Sequence, residues 1–172
     1  MTKISVQQQN SNPWPVFVLT LEGDGARNSV LLNSLTKNAI DHQIVIGVDG
    51  RKGLPKHCES LIDRPGAKER YRRSIGDAEF ACALSHRSIY DRILSDGLGG
   101  AIILEDDAIP TETFFEFVRQ KLYQPFDLIM LDHSHARVIG PRIDLAKKIA
   151  ARTLSLPSCL TTAYSLSSKA AE

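Results

Sequence analysis

Three consecutive carboxylates, Glu105-Asp106-Asp107, follow a short apolar run at residues 101–104 (AIIL). Packed side by side after a buried strand, they repel one another unless a hard divalent cation or cationic side chains compensate. Mg²⁺ or Mn²⁺ held by one or two such carboxylates completes its shell with waters and substrate phosphates, which suits a nucleotide ligand. The bland alternative is that the triplet caps the helix beginning near Thr111 or solvates a turn. Other apolar runs also end in acidic residues: Glu22 and Asp24, Asp49, and Asp132. Ligands of parallel α/β sheets sit at the carboxyl ends of strands, so these carboxylates are expected on one rim. His133 and His135 flank the last of them as candidate bases, and zinc there would need further ligands.

A second set lies on one helical stripe. Glu79, Cys82 and His86 stand at i, i+3 and i+7, with Ser85 beside them. If the stripe faces a cleft, Glu79 accepts hydrogen bonds from sugar hydroxyls and His86 contacts phosphate or sugar. If it does not, Glu79 favours the helix N-terminus through the macrodipole, Cys82 is core and His86 is a satisfied histidine. Nothing adjacent in sequence is arranged to make Cys82 a nucleophile. Residues 51–73 carry eight basic against three acidic side chains, broken by Pro55 and Pro65. They read as a long basic loop able to clamp a diphosphate, or as a solvated face. Arg27 can reach a phosphate from the turn Glu22-Gly23-Asp24-Gly25, which is neither GxGxxG nor a Walker A loop.

The elements that must position these residues alternate. Residues 16–21 (VFVLTL), 44–48 (IVIGV), 101–104 and 126–131 (FDLIML) read as strands. A helix is expected around Val30, Leu31, Leu35 and Ala39. A second runs from Gly76 or Asp77, through Phe80, Leu84, Ile89 and Ile93, to Asp96-Gly97. A third follows the capping-box pair Thr113 and Glu116. A last strand at 162–166 precedes Ser167-Ser168, good N-caps for a helix that has only four residues left. The pattern is α/β with a mainly parallel sheet flanked by helices. Residues 1–14 read as a flexible N-terminal tail and 15–172 as one domain.

The 172 residues are enough for one domain with a sizeable core. A hydrophobic fraction of 42% and no apolar run near the ~20 residues of a membrane span exclude an integral membrane helix. Net charge is +1, which gives no global reason to bind nucleic acid. Three cysteines without CxxC spacing disfavour a disulfide framework, and no secretory signal precedes Pro15, so the expected location is cytoplasmic, extending to the inner face of the membrane.

The segment AEFACALSHRSIYDRIL followed by GAIILEDDA resembles the core of glycosyltransferase family 25, the lipopolysaccharide and lipooligosaccharide sugar transferases related to collagen galactosyltransferases. VFVLTLEGDGAR, GVDGR, FDLIMLD and TTAYSLSSKAA are similar to further family segments, so the likeness covers about residues 15–171. It implies a GT-A type nucleotide-sugar-binding fold with a shortened C-terminal part. It further implies Glu105, Asp106 and Asp107 in the place of the metal-binding acidic motif, for Mn²⁺ or Mg²⁺, with Glu79, Ser85 and His86 matching the family's helix motif and Arg27 its early Arg; these four are expected to bind substrate. The family's usual Asn-Leu-Asp after its first strand is here Thr20-Leu21-Glu22, and family members usually continue well beyond Ala170.

The leading expectation is therefore a metal-dependent glycosyltransferase. It moves a hexose, galactose or glucose, from a nucleoside diphosphate sugar to a saccharide acceptor of lipopolysaccharide-core type. Asp107 and Asp132 are the catalytic candidates, Asp132 as the base an inverting reaction needs, and Asp49 joins the substrate-binding set. Two rivals remain: a non-catalytic nucleotide-sugar-binding remnant, and a Mg²⁺-dependent phosphoryl-transfer domain, which lacks a phosphate-cradling loop. The short C-terminal helix predicts fraying, an incompletely covered sheet edge at 162–166, and either a homodimer there or poor transfer.

Overall fold

The computed structural model describes residues 12–132, 134, 136–156 and 160–172; His133, His135, Cys159 and residues 1–11 of the expected tail lie outside the described residues. In chain order the elements are β1 (Val16–Thr20), α1 (Gly25–Lys37), β2 (His42–Ile46), a 3-10 helix (Lys56–Leu61), α2 (Arg64–Tyr71) and α3 (Asp77–Ser95). They continue as β3 (Gly100–Glu105), α4 (Glu112–Arg119), β4 (Leu128–Met130), β5 (Val138–Ala146), β6 (Ile149–Leu154), β7 (Ala163–Ser167) and α5 (Ser168–Ala171).

The central sheet has the order β2-β1-β3-β7-β4. β2, β1 and β3 are parallel, and β7 runs antiparallel to both β3 and β4. Four of the five strands thus share one direction, and the architecture is the α/β arrangement with a mainly parallel sheet. β1 and β3 are apolar without alternation because both faces are covered. Val16, Val18, Ile102 and Leu104 face Leu31 and Leu35 of α1 and Phe115 and Phe117 of α4. Phe17, Leu19, Ala101 and Ile103 face Ile89 and Ile93 of α3. Trp14, at the end of the expected tail, is buried in the first of these layers, its ring centroid 4.8 Å from that of Tyr123.

Three expectations are corrected. The basic stretch is not a loop. Asp63 accepts the Gly66 N–H at 3.0 Å as an N-cap, and Pro65 sits in the first turn where its missing donor costs nothing, so α2 forms. It has no buried residue, which is why no apolar period announces it. Residues 162–166 are not a sheet edge, because β7 lies between β3 and β4 with Ala163 to Leu166 buried. α5 is a single turn, capped by Ser167 accepting the Ala170 N–H at 3.2 Å and tied by Lys169 to Asp127 at 3.0 Å. Finally, β5 and β6 pair as an antiparallel hairpin with register shifts. No strand was expected there, since Gly140 and Pro141 interrupt the pattern and most of the hairpin's side chains face solvent.

No helix among the described residues is long and apolar enough to cross a membrane.

Candidate active site

The shared direction of β1, β2, β3 and β4 brings their carboxyl ends to one rim, and the antiparallel β7 adds its amino end. Asp24, Asp49, the acidic triplet, Asp132 and Thr161 follow or precede those ends.

The triplet divides among three sets of partners. Asp106 is buried. Its Oδ2 accepts the Thr20 hydroxyl at 2.8 Å, and its Oδ1 lies 2.9 Å from Arg27 Nε. Thr20 caps the buried face of β1, so one strand end holds the other. Asp107 is half exposed and accepts a second hydrogen bond from Arg27, Nη2 to Oδ2 at 2.9 Å. Arg27 thus bridges both aspartates from the first turn of α1, and its own pKa is raised chiefly by Asp106. Glu105 turns the other way. It accepts from Thr161 and lies 3.1 Å from His86 Nε2 through Oε1.

His86 is the centre of a second group. Its Nδ1 is 2.7 Å from the Tyr164 hydroxyl, which is 3.1 Å from the Tyr90 hydroxyl. Burial works to lower the imidazole's pKa, but hydrogen bonds to Cys82 and Glu105 overcome it and push the group up to about 9. The same pairing holds the Glu105 carboxyl below its ordinary value. Protonated at neutral pH, the ring donates from Nδ1 to Tyr164, whose own ionisation is pushed up mainly by burial.

The remaining stripe residues separate from the cleft. Glu79 is exposed; Arg73 donates to both its oxygens, and Oε2 also accepts the Gly76 N–H at 3.0 Å at the start of α3. Arg73 pulls its pKa down to about 2. Ser85 is buried, donating to Ala81 O at 2.7 Å and accepting the Val48 N–H at 2.8 Å, which pins the chain after β2 to α3. Asp49 is held by Arg51, Nη2 to Oδ2 at 2.8 Å, and Arg51 also reaches Asp24 at 3.1 Å. Arg51 brings the Asp49 pKa down to about 2. Arg64 joins Glu59 and Asp77, each at 2.7 Å, so three arginines of the basic stretch are committed to carboxylates.

A cavity of about 1160 Å³ opens beside the triplet, between the sheet, α4 and the β5–β6 hairpin. Asp107 and Asp132 both line it, with Phe117, Met130, Ile149 and Thr153. The cavity unites the two catalytic candidates; Glu79, Ser85 and Asp49 are drawn instead into helix capping, strand anchoring and an ion pair. Thr20, Thr161 and Tyr164 were given no role in the site from sequence. Their one signal is polarity at the ends or in the middle of otherwise apolar strands.

Residues 14–172 match the family model described as glycosyltransferase family 25 (LPS biosynthesis protein). Procollagen galactosyltransferase 1 of Danio rerio is 31% identical over 120 residues, covering 68% of this chain and 20% of that protein. Procollagen galactosyltransferase 2 of Homo sapiens is 28% identical over 120 residues, 68% and 19% of the two chains. Probable inactive glycosyltransferase 25 family member 3 of Rattus norvegicus is 33% identical over 96 residues, 54% and 17%. The match spans about a fifth of the length of each of these relatives.

Proposed function

The chain belongs to glycosyltransferase family 25, and we propose that it binds a nucleoside diphosphate hexose at the carboxyl rim of the sheet and transfers the sugar to a saccharide hydroxyl. The observation that carries this reading is the pair of carboxylates, Asp107 and Asp132, on one cavity beside Arg27. The acceptor is a lipopolysaccharide-type saccharide by the family's description, while the galactosyltransferases among the relatives point to galactose as the hexose.

Transfer forms a bond between the acceptor oxygen and the anomeric carbon and breaks that carbon's bond to the diphosphate. Asp132 takes the hydroxyl proton as the acceptor oxygen attacks. Arg27 faces the leaving diphosphate once Asp107 turns from it, and Asp106, fixed by Thr20, keeps the guanidinium at the rim. The donor set fits Mn²⁺ or Mg²⁺ at one carboxylate: Asp106 has both oxygens engaged, whereas half-exposed Asp107 meets the requirement of a cation that completes its shell with phosphate and water. When bound, such a cation supplies electrostatic stabilisation of the diphosphate. Glu105, directed to His86, is the triplet member that supports the rim from behind.

A second reading, donor binding without transfer, is favoured by the similarity to relatives named as inactive. One experiment separates the two. Thermal unfolding is measured with a panel of nucleotide sugars, with and without Mn²⁺, and transfer of radiolabelled sugar to saccharide acceptors is measured in parallel. A ligand that binds only the folded state raises the melting temperature by mass action. The transferase reading expects a metal-dependent rise that Asp107→Asn abolishes, together with turnover that Asp132→Asn abolishes. A rise without turnover leaves the binding reading, and equal rises in wild type and Asp107→Asn remove Asp107 from the metal role.

A further inference from the structure

We propose that Cys82, His86 and Glu105 form a binding site for a borderline-soft divalent cation, Zn²⁺ by preference, separate from the aspartate rim and independent of the transferase reading. One ligand atom from each lies within 4.8 Å of the others, and no other group of three such side chains among the described residues meets that condition. Cys82 and His86 are four residues apart on α3, hence on one face, and Glu105 comes from the end of β3 opposite them.

The geometry is that of three donors converging on a point. A tetrahedral zinc with bonds of about 2.1 Å to nitrogen and oxygen sets those atoms about 3.4 Å apart. Here His86 Nε2 and Glu105 Oε1 are 3.1 Å apart, so a small outward movement of the carboxylate makes room for the ion. The other ring nitrogen, Nδ1, is held by the Tyr164 hydroxyl at 2.7 Å, and Tyr164 by Tyr90. An outer hydrogen bond on the non-ligating nitrogen is what metal-bound histidines use to fix ring orientation. Thiolate and imidazole donors disfavour Mg²⁺ and favour zinc. His86 is buried and Cys82 exposed, so the group reaches the protein surface, where water can supply a fourth ligand. Zinc would join α3 to the end of β3, fixing Glu105 beside Asp106.

The test uses the 172-residue chain, stripped with chelator and titrated with Co²⁺ as a spectroscopic substitute for zinc. The expected result is a thiolate-to-cobalt charge-transfer band and tetrahedral ligand-field bands, both removed by Zn²⁺ and unaffected by Mg²⁺. Cys82→Ser, at an exposed position, should lose the charge-transfer band and bind Zn²⁺ at least about tenfold more weakly, and Tyr164→Phe should weaken binding about tenfold through the outer hydrogen bond. Asp107→Asn should leave band and affinity unchanged, which distinguishes this site from the aspartate rim. Zn²⁺ should also protect Cys82 of the unmutated protein from alkylation, read on its own peptide by mass spectrometry. Absence of the thiolate band, Zn²⁺ affinity of Cys82→Ser equal to wild type, or alkylation of Cys82 indifferent to Zn²⁺ would each overturn the proposal.

Discussion

His86 carries the clearest electrostatic consequence of a single residue in this chain. Glu105 at the end of β3, Cys82 on its own helix and Tyr164 on β7, backed by Tyr90, are the titratable groups that face it. In the metal-free protein its pKa lies at about 9, above the ordinary 6.5, despite a burial that works the other way. A group raised on folding contributes stability that is complete below its unfolded value and lost as pH rises through its folded one. The His86 contribution is therefore full below about pH 6.5 and gone above about pH 9. Glu105, whose pKa is lowered from 4.5, contributes above that value and loses its share as pH falls. The expected outcome is that Glu105→Gln destabilises the chelated protein at pH 6 and that the difference from wild type shrinks above pH 9. Denaturant midpoints at the two pH values check it; a difference independent of pH would show that His86 is neutral throughout.

At the scale of elements, α3 is the organiser. Its first turn is closed by Glu79, whose carboxylate takes the Gly76 N–H and two hydrogen bonds from Arg73. With both oxygens occupied there, Glu79→Gln is expected to lower the denaturant midpoint while leaving nucleotide-sugar affinity per folded molecule unchanged; a fall in affinity without loss of stability would return Glu79 to the cleft. Against the same turn the chain after β2 packs so closely that a Cβ on Gly50 would stand 2.7 Å from Ala81 Cβ and 2.8 Å from Asp77 O. Both neighbours are on the helix backbone or next to it and cannot yield, so Gly50→Ala should cost about 1–3 kcal/mol in urea unfolding, as overpacking does. The strands that bury apolar side chains on both faces, β1 and β3, and the helices that bury one apolar stripe, α1 and α3, were legible in sequence for that reason. α2 was not, because its start is written in Asp63 and Pro65 rather than in any apolar period. Nor was the hairpin, whose side chains answer mostly to solvent. The triplet was legible as an acidic strand end, but its division between Arg27 and His86 depends on Thr20, Thr161 and β7, which are distant in sequence.

For the whole molecule the decisive feature is unequal anchorage around the cavity. One wall is the doubly covered sheet, with Ile102, Ile103 and Leu104 fully buried. The other wall is the β5–β6 hairpin, which joins the core through Ile149, with Leu145 and Ala146 packed partly against it. Segments with few buried apolar contacts open at low free energy, so hairpin amides should exchange with solvent well before those of β1, β3 and β7. A donor seated at Asp107 and Arg27 rests on the rigid wall, whereas an acceptor reaching Asp132 must fill the cavity and touch the hairpin. Hydrogen exchange then separates the transferase from a binding remnant without measuring turnover. A nucleotide sugar with Mn²⁺ should slow exchange around residues 20–28 and 105–108 in either case. Adding a saccharide acceptor should slow residues 138–154 only if the cavity holds an acceptor. Protection of the rim with a hairpin that exchanges at its free rate at saturating acceptor would assign the chain to donor binding alone.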